Sequence, residues 1–173
     1  MTTPGVVWWI TGLSGAGKTT VASLVQEQLV ARGHAALLLD GDRLRAVLGD
    51  NEGGHGPDDR VRLAWIYARL AREVAAQGID AVCATISMFD AVREWNRAHI
   101  ANYREIYLQV PLPELQLRDP RGLYARAARG EQRHIVGVDV AFEPPRQPDL
   151  VIDNFGGVDA AAAAAQILGL DRR

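Results

Sequence analysis

Apolar residues along this chain follow two alternating rhythms: short unbroken runs, and longer stretches with apolar positions three or four apart. The run from Val6 to Thr11, halted by Gly12, reads as a strand buried on both faces. Residues 18–32 place Val21, Leu24, Val25, Gln28 and Leu29 on one helical face, and Gly33 ends that helix. Ala35 to Leu39 predicts a second buried strand, closed by Asp40-Gly41-Asp42 and followed by a turn over Arg43 to Leu48. The Gly-rich stretch from Gly49 to Pro57 is a loop. Asp58 or Asp59 caps a long helix in which Val61, Ala64, Trp65, Ala68, Ala71, Val74 and Ala75 recur at helical spacing up to Gly78.

The same alternation continues to the end of the chain. Ile79 to Ile86 predicts a third strand, Met88 to Ala101 a helix, Glu105 to Val110 a fourth strand and Leu112 to Arg118 a short helix. Gly122 to Gly130 reads as an arginine-studded helix, with an irregular stretch after it as far as Pro148. Leu150 to Ile152 is a fifth strand, and the Ala-rich tail from Val158 a last helix. Strands and helices joined in this order build a parallel sheet covered on both faces. No repeat or linker interrupts the pattern, so residues 1–173 read as one α/β domain.

Composition narrows the function classes. With 173 residues, 48% hydrophobic and 23% charged, the chain can bury a core without staples, and it is neither disordered, collagenous nor coiled-coil. A net charge of −2 argues against a protein that coats nucleic acid or anionic membrane. The first apolar run is too short for a signal peptide and has no basic residue before it. No stretch approaches the roughly 18 apolar residues of a membrane span. The lone cysteine, Cys83, permits no internal disulfide and suits a reducing compartment. The expectation is a soluble, cytoplasmic protein.

One segment carries recognisable chemistry. Gly12-Leu13-Ser14-Gly15-Ala16-Gly17-Lys18-Thr19 fits G-x-x-x-x-G-K-[ST] in full, between a buried strand and an amphipathic helix. Glycines there let backbone N–H groups turn inward around phosphate oxygens, and the helix N-terminus adds a favourable dipole. This predicts ATP held by Gly12, Ser14, Gly15, Ala16, Gly17, Lys18, Thr19 and Thr20, with Lys18 on the β/γ-phosphates and the Thr19 hydroxyl on Mg²⁺. Lys18 is the single lysine among 19 basic residues, at a place where arginine's broad fork would not fit. A guanine-reading N-K-x-D motif needs a second lysine and is therefore impossible, which leaves a small-molecule or nucleotide kinase as the better fit.

Asp40 and Asp42 close the second strand, at the sheet edge where ligands of such folds sit. One carboxylate could accept the proton of an attacking hydroxyl while the other holds Mg²⁺ through water. Alternatively, Asp42 is an N-cap for the turn that follows. Ser87-Met88-Phe89-Asp90 reads as a capping box for the next helix, at an edge that can still touch substrate. Arg118, Arg121, Arg126, Arg129 and Arg133 crowd one segment, and Arg126, Arg129 and Arg133 have the spacing of one helix face. They form either a solvated basic surface or a lid over ATP spanning about residues 118–147. The histidines lack metal-ligand spacing, so zinc is not expected.

Several of these segments together resemble the adenylylsulfate (APS) kinase family, from Trp8 to Asn154. The resemblance rests on Gly12 to Thr20, Leu39-Asp40-Gly41-Asp42 with Arg45, Asp59-Arg60, Ile86-Ser87 and Arg118-Asp119. It continues through Gly122-Leu123-Tyr124, Ala127 with Gly130-Glu131, and Gly137-Val138-Asp139. It implies a P-loop three-layer fold of about five parallel strands and transfer of the ATP γ-phosphoryl to the 3′-hydroxyl of adenosine 5′-phosphosulfate (APS). Asp42 would then act on the substrate hydroxyl, with Asp40 beside it. Arg45, Arg60, Ile86, Ser87, Arg133 and Ile135 would line the substrate cleft, the arginine segment would be the lid, and the chain would form a homodimer.

The departures from the family pattern lie on the substrate side. The two phenylalanines that sandwich the substrate adenine in the family correspond to His55 and Ile135, and a substrate-touching asparagine corresponds to Leu63. Phe-Ile-Ser-Pro reads Thr85-Ile86-Ser87-Met88. Cys83 to Phe89, Asn96-Arg97 and Val136 to Asp139 resemble a divergent branch that includes cytidine diphosphoramidate kinase. The alternative acceptor is therefore a different activated nucleotide. A non-catalytic nucleotide-binding module is the further alternative, disfavoured by Asp42 beside an intact P-loop.

Overall fold

The computed structural model describes residues 3–49, 56–119 and 121–170. Its elements in chain order are β1 (Val7–Thr11), α1 (Lys18–Ala31), β2 (Ala36–Asp40), α2 (Gly41–Val47), α3 (Pro57–Ala76), β3 (Asp80–Thr85) and α4 (Asp90–His99). Then follow β4 (Tyr103–Gln109), α5 (Leu112–Arg118), α6 (Leu123–Ala128), β5 (Leu150–Asp153) and α7 (Ala160–Leu168). The five strands form one parallel sheet in the order β2-β3-β1-β4-β5. From β1 the chain crosses to the edge strand β2, returns to β3 beside β1, and then passes to β4 and β5 on the other side of β1. The carboxyl ends of β1 and its neighbours therefore open the crevice in which ligands of such sheets bind.

Alternation along β1 builds both faces of the core. Trp8 and Ile10 join Val21, Val25, Leu29, Ile106, Leu108, Ala163 and Ile167 between the sheet and the α1–α7 layer. Val7 and Trp9 point the other way and join Leu63, Ala64, Ala68, Ala71, Cys83 and Val92 beneath α3 and α4. Side chains at successive strand positions face opposite layers, so an unbroken apolar run is what a sheet covered twice requires.

Four local expectations change on folding. The turn expected over Arg43 to Leu48 is the helix α2, which Asp40 caps. The cap of α3 is Gly56, which leaves Asp58 and Asp59 inside the first turn, where their charge favours the helix dipole. Ser87 does not cap α4. Phe89 occupies that position without a side-chain cap, while the Ser87 hydroxyl bonds Thr85 Oγ1 at 2.7 Å. The arginine-rich helix stops at Ala128, so Arg126, Arg129 and Arg133 do not share a helix face. Gly130, at φ 73°, turns the chain there.

The amino-terminal entry into the sheet is tight. A Cβ on Gly5 would lie 2.3 Å from the Ile79 carbonyl oxygen, a backbone group that cannot give way. Gly5→Ala is expected to destabilise the fold by about 1–3 kcal/mol, read as a lower denaturation midpoint at unchanged slope. An unshifted midpoint would mean that the β1 entry relaxes freely.

Candidate functional site

Gly15 and Gly17 take φ 80° and 88°, conformations closed to most side chains, and curl residues 12–17 around the N-terminus of α1. Gly17 caps α1 without any side-chain hydrogen bond, and no acidic residue sits in the first turn. The first-turn N–H groups of α1 and its positive dipole end are thus left for an anion. Lys18 Nζ donates to the Leu13 carbonyl at 2.8 Å, folding back across the loop it serves. Asn154, buried after β5, donates from Nδ2 to the Ala16 carbonyl at 2.8 Å. From α6, the Tyr124 hydroxyl donates to the Ser14 carbonyl at 2.8 Å. Two distant segments therefore brace the loop's carbonyls outward, so that its N–H groups face the ligand side.

The two aspartates divide their work. Asp40 is buried and caps α2: Oδ1 accepts from the N–H groups of Asp42 and Arg43, and Oδ2 accepts from the Thr19 hydroxyl at 2.7 Å. The capping role considered for Asp42 thus belongs to Asp40, which does not line the cleft. Asp42 lies in the first turn of α2 with its side chain 76% exposed, facing the cleft. Arg121 reaches it from the arginine segment at 2.9 Å. Both partners are well exposed, and pairs of this kind are worth only about 0–1 kcal/mol, so Arg121 is easily drawn away by a phosphate.

The cleft beside the loop encloses about 370 Å³. Its lining includes Arg45, Arg60, Arg121 and Arg126. Arg60 donates to the His134 carbonyl at 2.7 Å, and its pKa is lowered by burial and then by the nearby Arg45 charge. The rest of the lining is mostly apolar and includes Leu63, Ile86, Met88, Phe89, Ile135 and Phe142, with Ser87 among them. Ile135 is turned inward by Asp139, whose carboxylate accepts the N–H groups of His134 and Ile135 at 2.7 and 2.5 Å. Gly137 lets this segment pass over the P-loop, because a Cβ there would meet Leu13 at 3.0 Å.

Among the remaining arginines of the segment, Arg118 pairs with Glu114, Arg129 pairs with Glu131, and Arg133 is exposed outside the cleft lining. His55 lies outside the described residues. Sequence reasoning did not single out Tyr124 as a brace or Asn154 at all. Tyr124 carried only its place in Gly-Leu-Tyr, and Asn154 acts across 138 residues of sequence separation, which no local pattern encodes.

Burial brings the Lys18 pKa down to about 8, partly offset by Asp42, while Arg121 lowers it further. The donor set around Thr19 and Asp40 is oxygen only, a hydroxyl and a carboxylate in contact. That chemistry fits a hard cation that keeps several waters.

Residues 4–153 match the family model for adenylylsulphate kinase. The cytidine diphosphoramidate kinase of Campylobacter jejuni is 39% identical over 146 residues, 84% of either chain. The adenylyl-sulfate kinase of Pseudomonas aeruginosa is 38% identical over 154 residues, covering 88% of this chain and 78% of that one. Among solved structures, the APS kinase CysC of Mycobacterium tuberculosis in complex with AMPPNP and APS superposes with a TM-score of 0.88 at 33% identity, covering 96% of this chain and 97% of that one.

Two outcomes test the cradle. In the empty site Lys18 loses its proton as pH rises through about 8, whereas a bound polyphosphate holds it charged. Calorimetry in buffers of differing ionisation enthalpy should therefore detect proton uptake on ATP binding above that pH, with affinity falling as pH rises. A flat profile from about pH 7 to about pH 10 would remove Lys18 from the phosphate contact. Asn154→Ala should raise the KM for ATP about fivefold, the value of one neutral hydrogen bond. An unchanged KM would show that the loop does not need this tie.

Proposed function

Since the chain belongs to the adenylylsulphate kinase family, and so is an ATP-dependent kinase with a hydroxyl acceptor, we propose that the acceptor is a nucleotide with a small activated group on its phosphate. The leading substrate is adenosine 5′-phosphosulfate, phosphorylated on its 3′-hydroxyl. The observation that carries this reading is Asp42: an exposed carboxylate lining the cleft beside the P-loop, together with four arginines, one of which, Arg121, pairs with it.

In this reading the first-turn N–H groups of α1 and Lys18 hold the ATP phosphates, and Arg45 and Arg60 hold the acceptor's anionic end. Asp42 accepts the proton of the attacking hydroxyl as the bond to the γ-phosphorus forms. Arg121 leaves Asp42 for the phosphoryl group, which both frees the base and neutralises developing charge. Thr19 would hold Mg²⁺ directly and Asp40 would hold it through water; when bound, the ion neutralises charge on the β- and γ-phosphates. Catalysis is then chiefly positioning and charge stabilisation. A homodimer and a cytoplasmic location belong to the same reading and rest on family resemblance, composition and the lone cysteine.

A second reading, a cytidine diphosphoramidate or similar acceptor, is favoured by Leu63 and Ile135 on the cleft wall. Both are buried aliphatic side chains where the family pattern has an amide and an aromatic ring.

Product masses after incubation with ATP and Mg²⁺ separate the readings, with APS, cytidine diphosphoramidate and plain nucleotides as acceptors. APS turnover alone supports the first, and turnover of another activated nucleotide with APS inert supports the second. Asp42→Asn should lower kcat by about 10²–10⁴ while ATP binding stays near wild type. Retained turnover would exclude Asp42 as the base.

A further inference from the structure

We infer that Asp119 is a positioning residue for phosphoryl transfer: it secures the turn before α6 so that the backbone of Arg121 is held beside the P-loop. The inference rests on reading Arg121 as the group that leaves Asp42 for the phosphoryl. Arg121 lies between α5 and α6, and its side chain is 66% exposed where it pairs with Asp42. A long, exposed side chain reaches a defined point only if its backbone is fixed, so what holds that backbone decides whether Arg121 can act.

Three hydrogen bonds hold it. The Gly122 N–H donates to the Asp119 carbonyl at 3.0 Å and closes a turn that carries Arg121, with Gly122 at φ 62°. Arg126 Nη1 donates to the Arg121 carbonyl at 2.6 Å. Gly122 caps α6 without a side chain, and Asp119 supplies the missing acceptor: its Oδ2 takes the Ala125 N–H at 2.9 Å. Desolvation works to raise the Asp119 pKa. Hydrogen bonds from the N–H groups of Ala125, Tyr124 and Leu123, and then the Arg126 charge, outweigh it and hold the carboxyl below its ordinary value. The carboxylate two residues from Arg121 is thus engaged by the helix, and the guanidinium goes to Asp42.

The helix is in turn fixed to the phosphate loop. Tyr124 is buried in the core on the α1 side, and Leu123 and Ala127 pack against that core. The Tyr124 hydroxyl donates to the Ser14 carbonyl at 2.8 Å. Ser14, Gly15, Asp119, Arg121, Leu123 and Tyr124 together line a recess of about 30 Å³, so the turn abuts the P-loop directly. Support therefore runs from the P-loop through Tyr124 to α6, and from α6 through Asp119 and Arg126 to the Arg121 backbone. Only the Arg121 side chain then has to move between Asp42 and the phosphoryl group. Charge stabilisation of a transition state needs donors that are already in place. A misplacement of about 1 Å can cost roughly a hundredfold in rate.

The test is a double-mutant cycle on the full chain, by steady-state kinetics with ATP, Mg²⁺ and the nucleotide that the wild type converts. The variants are Asp119→Ala, Asp119→Asn, Arg121→Ala and the combination of Asp119→Ala with Arg121→Ala. Asp119→Ala should lower kcat by about 10–100-fold while the KM for ATP stays within about twofold of wild type, because Lys18 and the α1 N–H groups are untouched. Asp119→Asn keeps a capping oxygen and should recover most of that loss. In the Arg121→Ala background, Asp119→Ala should cost less than about twofold, since a displaced backbone matters only while it carries the guanidinium. Wild-type kcat in Asp119→Ala beside a loss in Arg121→Ala would overturn the inference and leave the kinase reading intact. So would an equal loss in both backgrounds, no recovery in Asp119→Asn, or a loss confined to the KM for ATP. Wild-type kcat in Arg121→Ala would overturn the reading of Arg121, and this inference with it. A wild-type chain that binds ATP but converts no nucleotide would overturn the reading of the cleft and both of these.

Discussion

The uncapped N-terminus of α1 is the constraint around which the rest of the structure is arranged. A helix end without a side-chain cap leaves N–H donors for water or a ligand. Here Gly15 and Gly17 take the left-handed backbone turns that shape the loop around those donors. Everything near the loop then works to keep it open. Asn154 takes one carbonyl and Tyr124 another, while Lys18 folds back onto a third. The strand order places that helix end after the central strand β1, between β3 and β4, so the sheet's topology and the loop's electrostatics point to one crevice.

Asp40 and Asp42 show how a short segment separates structural from chemical work. Two residues apart on an extended strand, they would share a face. The start of α2 at Gly41 breaks that relation, so that Asp40 turns inward to cap the helix and orient Thr19 while Asp42 stays in water. A carboxylate already accepting three hydrogen bonds is committed to the fold, and one held by a single exposed ion pair is open to a ligand. The distinction follows from hydrogen-bond saturation, not from residue type.

The cleft is asymmetric in chemistry. Its basic part is built from arginines on α2, α3 and the segment after α5. The rest is mostly apolar and is assembled from residues at the end of β3 and the irregular segment before β5. The buried Arg93–Glu105 pair and its hydrogen bonds to Asp90 and Glu143 join those two stretches. Such a buried network is weak evidence for stability, but it fixes relative position well.

The sequence carries the fold class, the order of the strands and of every helix but α2, which reads as a turn, and the G-x-x-x-x-G-K-[ST] loop. Each of these is local: unbroken apolar runs, one-face spacings, and a loop whose glycines and lysine are consecutive. It also gave the aspartate pair, but not which member is free, because that depends on where α2 begins. The capping box at Ser87 and the single face for Arg126, Arg129 and Arg133 were misread for a related reason. A capping pattern or an i, i+3, i+7 spacing carries meaning only if a helix spans it, and here the helices start later or stop sooner. The ties from Asn154 and Tyr124 to the loop and the reach of Arg121 to Asp42 come from tertiary structure alone. Each joins residues far apart in the chain, and only the packing of layers on the sheet brings them within a hydrogen bond of each other.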